Sequence, residues 1–116
     1  MTEKIVQVLA VDDDQLWLDE YNEISKDTLL ALSAVKALEL LSENQITHLI
    51  VDGLKGQWVK VVEAAKTAGV GHIVLVSAND VSKQAEKMGI AYVDKENFGL
   101  GEIEFKDLLK IAEGLI

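Results

Sequence analysis

Ile5-Val6-Gln7-Val8-Leu9-Ala10-Val11-Asp12-Asp13-Asp14 sets the terms of the fold. It is an apolar run, rich in β-branched residues, that stops abruptly in three carboxylates. Such side chains suit a pleated surface. The run is short and nearly uninterrupted by polar residues, which reads as a strand covered on both faces, as parallel strands are. Directly after the acids, Trp17, Tyr21 and Ile24 recur at helical spacing. The unit is therefore strand, acidic turn, helix.

Working outward, the same unit recurs along the chain. Residues 28–32 form a second strand, and 34–41 a helix with Ala34, Leu38 and Leu41 on one face. Residues 48–51 form a third strand that stops at Asp52. Gly53-Leu54-Lys55-Gly56 reads as a tight loop, and the helix after it lines up Trp58, Val61, Val62 and Ala65. Gly69 and Gly71 close that helix and open strand four, 72–76, which stops at Ser77. Asn79 or Asp80 caps a short helix carrying Val81, Ala85 and Met88, and Gly89 ends it. Strand five spans 90–93 and runs into Asp94-Lys95. The final helix shows Phe105, Leu108, Leu109, Ala112 and Leu115 on one face.

Strand-helix alternation implies a parallel sheet with helices on both faces and right-handed crossovers. Five strands in 116 residues suit one α/β domain over 1–116. The expected architecture is a flavodoxin-like (βα)5 three-layer sandwich with strand order 2-1-3-4-5.

Composition narrows the function. The net charge is −9, and all 11 basic residues are lysine. Without arginine there is no bidentate grip on phosphate or guanine. A chain this acidic repels nucleic acid and anionic membrane, so its macromolecular partner is expected to be a protein. The sequence holds no Cys, which excludes disulfides and thiolate metal sites, and no Pro. The apolar run at 71–77 is far too short to span a bilayer. No positively charged n-region followed by an apolar h-region opens the sequence, so a cytoplasmic location is expected.

In an open parallel sheet all strand carboxyl ends lie on one edge, where ligands bind. Asp12 and Asp13, Asp52, Ser77 and Lys95 therefore converge, although they are far apart in sequence. Strand two, at the sheet's edge, brings nothing comparable. Clustered carboxylates repel one another and call for a cation. Mg²⁺ takes oxygen ligands and commonly bridges carboxylate to phosphate. A carboxylate also serves as nucleophile in phosphoryl transfer, and the Lys95 ammonium and Ser77 hydroxyl suit the charged oxygens of the transferred group.

On these residues the chain resembles the CheY-like receiver domain of two-component response regulators. The matching pieces are Val8-Leu9-Ala10-Val11-Asp12-Asp13-Asp14, Leu49-Ile50-Val51-Asp52, Val74-Leu75-Val76-Ser77-Ala78 and Tyr92-Val93-Asp94-Lys95. The resemblance implies a stand-alone receiver, a phosphoprotein and not an enzyme, in which Asp52 is the phosphoacceptor. Asp12, Asp13, Asp52 and the Leu54 backbone carbonyl would hold Mg²⁺. Lys95 would pair with the phosphoryl oxygens, and Ser77 with Tyr92 would form the switch. The implied partners are a sensor histidine kinase or histidine phosphotransfer protein, and a downstream protein target.

The sequence also departs from that family. Gly53-Leu54-Lys55-Gly56-Gln57 stands where a Met-Pro pair is usual, Glu96 stands where Pro usually follows the lysine, and the segment from Ser77 to Lys95 is short. A phosphorylation-independent pseudo-receiver that binds protein is therefore an alternative. A third reading is a haloacid-dehalogenase-like phosphohydrolase using Asp12 and Asp14, although Leu16 and the absent later acidic pair depart from that pattern. Trp17 and Trp58 are expected to pack helices. His48 and His72 are expected at the surface, on the edge opposite the cluster.

Overall fold

The structure, a computed structural model, describes residues 6–25, 27–99, 101 and 103–116. Its strands are β1 (Val8–Val11), β2 (Leu29–Ala31), β3 (His48–Asp52), β4 (His72–Ser77) and β5 (Ala91–Asp94). All pair in parallel, in the expected order β2-β1-β3-β4-β5. The helices are α1 (Gln15–Tyr21), α2 (Ala34–Glu43), α3 (Trp58–Thr67), α4 (Ser82–Met88), α5 (Glu96–Gly99) and α6 (Leu108–Ala112).

Side-chain alternation along the strands divides the core in two. Leu9, Val11, Leu49, Val51 and Leu75 face α2 and α3, where they meet Ala37, Leu41, Trp58, Val61, Val62 and Ala65. Val8, Ala10, Ile50, Val74 and Val76 face the other way, toward Leu18, Tyr21 and Leu108. β1, β3 and β4 carry these fully buried runs, and each buried Val, Leu or Ile contributes about 1.5–3 kcal/mol. Local signals close the helices. The Asp14 carboxylate accepts Leu16 N–H at 3.0 Å to cap α1. Ser33 Oγ accepts Lys36 N–H at 3.1 Å to cap α2.

The structure corrects several expectations. Strand one begins at Val8, while Ile5 lies outside the described residues. Ile90 lies in the turn that closes α4 and not in β5. Gly89 takes the left-handed conformation at φ 71°, and Ile90 N–H returns to the Ala85 carbonyl. The N-cap position of α4 is Val81, while the Asp80 carboxylate just before it takes the Ser82 N–H and hydroxyl.

The final helix is interrupted. α5 follows Lys95, and a 3-10 turn at Phe105–Asp107 leads into α6. Leu115 leaves the apolar face and is 66% exposed, because left-handed Gly114 reverses the chain and Leu115 N–H bonds back to Lys110. Trp58 does pack its helix, at 2% exposed.

His48 is not a surface residue. It opens the central strand and is 1% exposed. Its Nε2 lies 2.6 Å from Glu113 Oε1, just past α6, and its Nδ1 lies 2.7 Å from Thr47 Oγ1. Thr47 Oγ1 in turn accepts Gln7 N–H at 2.9 Å and lies 3.1 Å from the Gln7 carbonyl. His72 is half-buried against the His48 ring, with centroids 4.8 Å apart.

Candidate functional site

β1 and β3 are neighbours although β2 lies between them in sequence. This is the topological switch point of the sheet, where ligand crevices form. Asp12 follows β1, Asp52 ends β3, Ser77 ends β4, and Lys95 follows β5. Strand register brings them level. Val11 pairs with Val51, Asp52 with Val76, and Ser77 with Asp94. The backbone reinforces this where the strands end: Asp12 N–H donates to Ala31 and Lys95 N–H to Ser77.

Oxygens of Asp12, Asp13 and Asp52 lie within 4.8 Å of one another. Asp12 is fully buried, Asp52 is 9% exposed, and Asp13 faces solvent. The Lys95 ammonium bridges the two buried acids, 2.9 Å from Asp12 Oδ2 and 2.7 Å from Asp52 Oδ1. The remaining oxygens take backbone amides: Asp14 N–H donates to Asp12 Oδ1, and Leu54 N–H to Asp52 Oδ2. Three carboxylates against one ammonium leave an excess of negative charge. Burial, and then the charge of Asp52, push the Asp12 carboxyl up, and the bonds from Lys95 and Asp14 only partly offset them. Burial alone would lower the Lys95 ammonium, but its bonds to Asp52 and Asp12 outweigh that and raise it.

Beside these acids opens a cleft of about 370 Å³, lined by Asp13, Asp52, Gly53, Lys55, Ser77 and Lys95 among others. Gly53-Leu54-Lys55-Gly56 forms its lip as a 3-10 turn in which Leu54 and Lys55 both hold positive φ, 49° and 55°. The Leu54 carbonyl accepts Gln57 N–H at 3.1 Å. Across the cleft, Ser77 Oγ accepts Asn79 N–H at 3.1 Å, and the Asn79 carbonyl accepts the Tyr92 hydroxyl at 2.9 Å. Ser77 and Tyr92 are thus joined through one residue of the β4–α4 loop. Burial, then the charges of Asp94 and Asp80, raise the Tyr92 phenol.

All the residues expected at the sheet edge are therefore brought together. Asp14 is not, since its carboxylate caps α1, which removes the geometric basis for an Asp12–Asp14 nucleophile pair.

Three features escaped the sequence. Trp17 does more than pack a helix: the Lys95 ammonium sits 4.4 Å from its ring centroid. Gly53 gives Ser77 room, because a Cβ there would stand 3.0 Å from Ser77 Oγ. Tyr21 is fully buried, and its hydroxyl finds no hydrogen-bond partner among the described residues. Burial, then the charges of Asp12 and Asp52, raise that phenol. Only Gly53, next to the acid that ends a strand, had a signal that a sequence reading could have used.

No protein-family model matches this chain, and no curated protein does. Solved structures do. A CheY-like response regulator receiver domain protein from Methanospirillum hungatei JF-1 superposes with TM-score 0.75 at 22% identity, covering 97% of this chain and 94% of that one. The fold is that of a CheY-like receiver domain.

The signal receiver domain of the putative response regulator NarL from Mycobacterium tuberculosis is similar, with TM-score 0.72 at 21% identity, covering 97% and 99%. A de novo designed Rossmann 2x3 fold protein also matches, with TM-score 0.71 at 15% identity, covering 91% and 87%. A receiver-like scaffold thus superposes well on a protein made without a natural task. The scaffold carries no activity by itself, and any function has to be argued from the site. Among the described residues, no helix is long and apolar enough to cross a membrane.

Proposed function

We propose that this chain is a two-component signalling receiver, in which Asp52 accepts a phosphoryl group from a phosphohistidine donor and the adduct alters affinity for a downstream protein. One observation carries the reading: three carboxylates and the Lys95 ammonium gathered at the carboxyl edge of the sheet, with Asp13, Asp52 and Lys95 lining a cleft. An Asp52 oxygen attacks phosphorus, the P–N bond to the donor imidazole breaks, and the electron pair leaves with the ring. The product is a mixed anhydride, which water hydrolyses back to Asp52 and phosphate.

Asp12, Asp13 and Asp52 fit a hard dication, since Lys95 neutralises only one of the three charges. The Leu54 carbonyl, already accepting one amide, is a further candidate ligand through its second lone pair. Bound there, Mg²⁺ would offset the charge that the phosphoryl oxygens bring. Lys95 supplies a second cation, and the Ser77 hydroxyl a donor on the cleft's far wall. The chain of bonds from Ser77 through Asn79 to Tyr92 is the route by which a shift of that hydroxyl would reach the surface. On this reading the donor is a sensor histidine kinase or histidine phosphotransfer protein, and the setting is cytoplasmic.

The pseudo-receiver remains the second reading, favoured by the left-handed turn at Leu54 and Lys55, which sets where the Leu54 carbonyl points. The deciding measurement is intact mass after incubation with acetyl phosphate, with and without Mg²⁺, on wild type and Asp52→Asn. A base-labile phosphoryl adduct on wild type alone, dependent on Mg²⁺, is expected. No adduct, even from a phosphohistidine donor, would transfer the conclusion to the pseudo-receiver, and equal labelling of Asp52→Asn would overturn Asp52 as the acceptor.

A further inference from the structure

The Lys95 ammonium has a third neighbour besides its two carboxylates. Its Nζ lies 4.4 Å from the centroid of the Trp17 ring, and its side chain is only 14% exposed. A desolvated cation is held strongly by an indole face, which of all aromatic faces holds it best. The indole is itself braced. Phe98 meets it edge-on at 5.5 Å, Phe105 lies tilted at 5.5 Å, and Phe98 stacks on Phe105 at 4.6 Å. Phe98 sits in α5, one turn past Lys95, and its N–H donates to the Lys95 carbonyl. The turn that carries the ammonium therefore also carries the ring that fixes the indole.

A lysine needs such help. Its head is a point charge on a flexible four-carbon stem, with no planar fork to fix its direction. The backbone on either side is held, by Lys95 N–H on Ser77 and by the first turn of α5, but that fixes the Cα and not the head of the stem. We infer that Trp17 is a positioning residue, whose indole face holds the Lys95 ammonium on the Asp12–Asp52 pair. The kinetic consequence rests on the phosphoacceptor reading above, whereas the contact itself does not.

The test uses Trp17→Leu, which keeps an apolar side chain but no π face, and Trp17→Phe, which keeps a weaker one. Trp17→Met replaces Trp17→Leu if the latter does not fold cooperatively. Two readouts run in parallel. Without any phosphodonor, NMR of the wild type should show Lys95 ε-methylene protons shifted upfield by the indole, and a Lys95 ammonium signal protected from exchange. Both should vanish in Trp17→Leu and persist in weakened form in Trp17→Phe. An unshifted ε-methylene in wild type, or an ammonium equally protected in Trp17→Leu, overturns the inference.

With acetyl phosphate and Mg²⁺, Trp17→Leu should load about five- to thirtyfold more slowly, the scale of a desolvated cation–π contact. Trp17→Phe should stay within about threefold of wild type. In a Lys95→Met background the Trp17→Leu change should add nothing. The same slowing in that background would show that Trp17 acts through the fold and not through Lys95. If the wild type does not load at all, the phosphoacceptor reading fails and the NMR result alone decides the positioning role.

Discussion

Replacing Lys55 by glycine should stabilise this protein, although it removes a charged side chain from the lip of an acidic cleft. Lys55 sits at φ 55°, ψ 38°, immediately after Leu54 at φ 49°. In this region Cβ crowds the following carbonyl oxygen, at a cost of about 1–2 kcal/mol per residue. Glycine escapes that cost but brings a more flexible unfolded chain, which takes back about 0.5–1 kcal/mol. The net gain is about 0.5–1 kcal/mol. Lys55 is exposed, so packing contributes little to the balance, whereas the same change at buried Leu54 would also discard an apolar contact.

Lys55→Ala is the control, because it deletes the same amine and stem and keeps the Cβ. Urea unfolding followed by circular dichroism should place Lys55→Gly above Lys55→Ala by about 1 kcal/mol, or roughly 4 °C in Tm for a domain of this size. If the two variants have equal midpoints, or alanine is the more stable, the left-handed turn is not strained and the reasoning fails.

Two other outcomes follow from the site. Gly53→Ala puts a methyl 3.0 Å from Ser77 Oγ and should destabilise by about 1 kcal/mol, through the bond Ser77 then loses to Asn79. In a Ser77→Ala background the same change should instead stabilise by about 0.5 kcal/mol, and a double-mutant cycle by urea melts reads the change of sign. Asp12→Asn should stabilise the metal-free protein at neutral pH by about 1 kcal/mol. The folded Asp12 carboxyl titrates above the ordinary 3.8, so its contribution to stability is complete below 3.8 and lost as pH rises through the folded value. The advantage of Asn in EDTA should therefore shrink as pH falls toward 3.8, and an advantage that grows in acid would contradict the assignment.

Much of this was legible because parallel strands write themselves plainly. Runs such as 8–11 and 48–51 are apolar throughout, and each ends at a polar residue whose neighbours on the edge follow from strand order alone. Asp12, Asp52, Ser77 and Lys95 could thus be gathered before any coordinates. What stayed hidden depends on bonds between distant segments or on backbone angles. The apolar spacing from Phe105 to Leu115 fits one long helix, and nothing in it announces the 3-10 turn or the reversal at Gly114. His48 looks polar in sequence, yet Thr47 and Glu113 make it a core residue. Leu54 and Lys55 are residues that rarely adopt positive φ, so no pattern signals their turn. Trp17 reads as a packing aromatic until Lys95, far along the chain, is placed against its face.

The imidazole at the other end of the sheet has a consequence for how the chain's last turn is fastened. A carboxylate only accepts hydrogen bonds, so His48 Nε2 must carry a proton toward Glu113. In the neutral ring Nδ1 then accepts the Thr47 hydroxyl proton. The same hydroxyl lies 3.1 Å from the Gln7 carbonyl, which also takes the Thr47 and His48 N–H groups. Each nitrogen of the buried ring therefore has a partner, and the hydroxyl works as a pin between ring and backbone. α6, with five residues, is too short to persist as a helix by itself. Its clasp to the central strand ties the chain's last turn to the core, and the aromatic bracket built on the same stretch of chain gains a fixed footing from it.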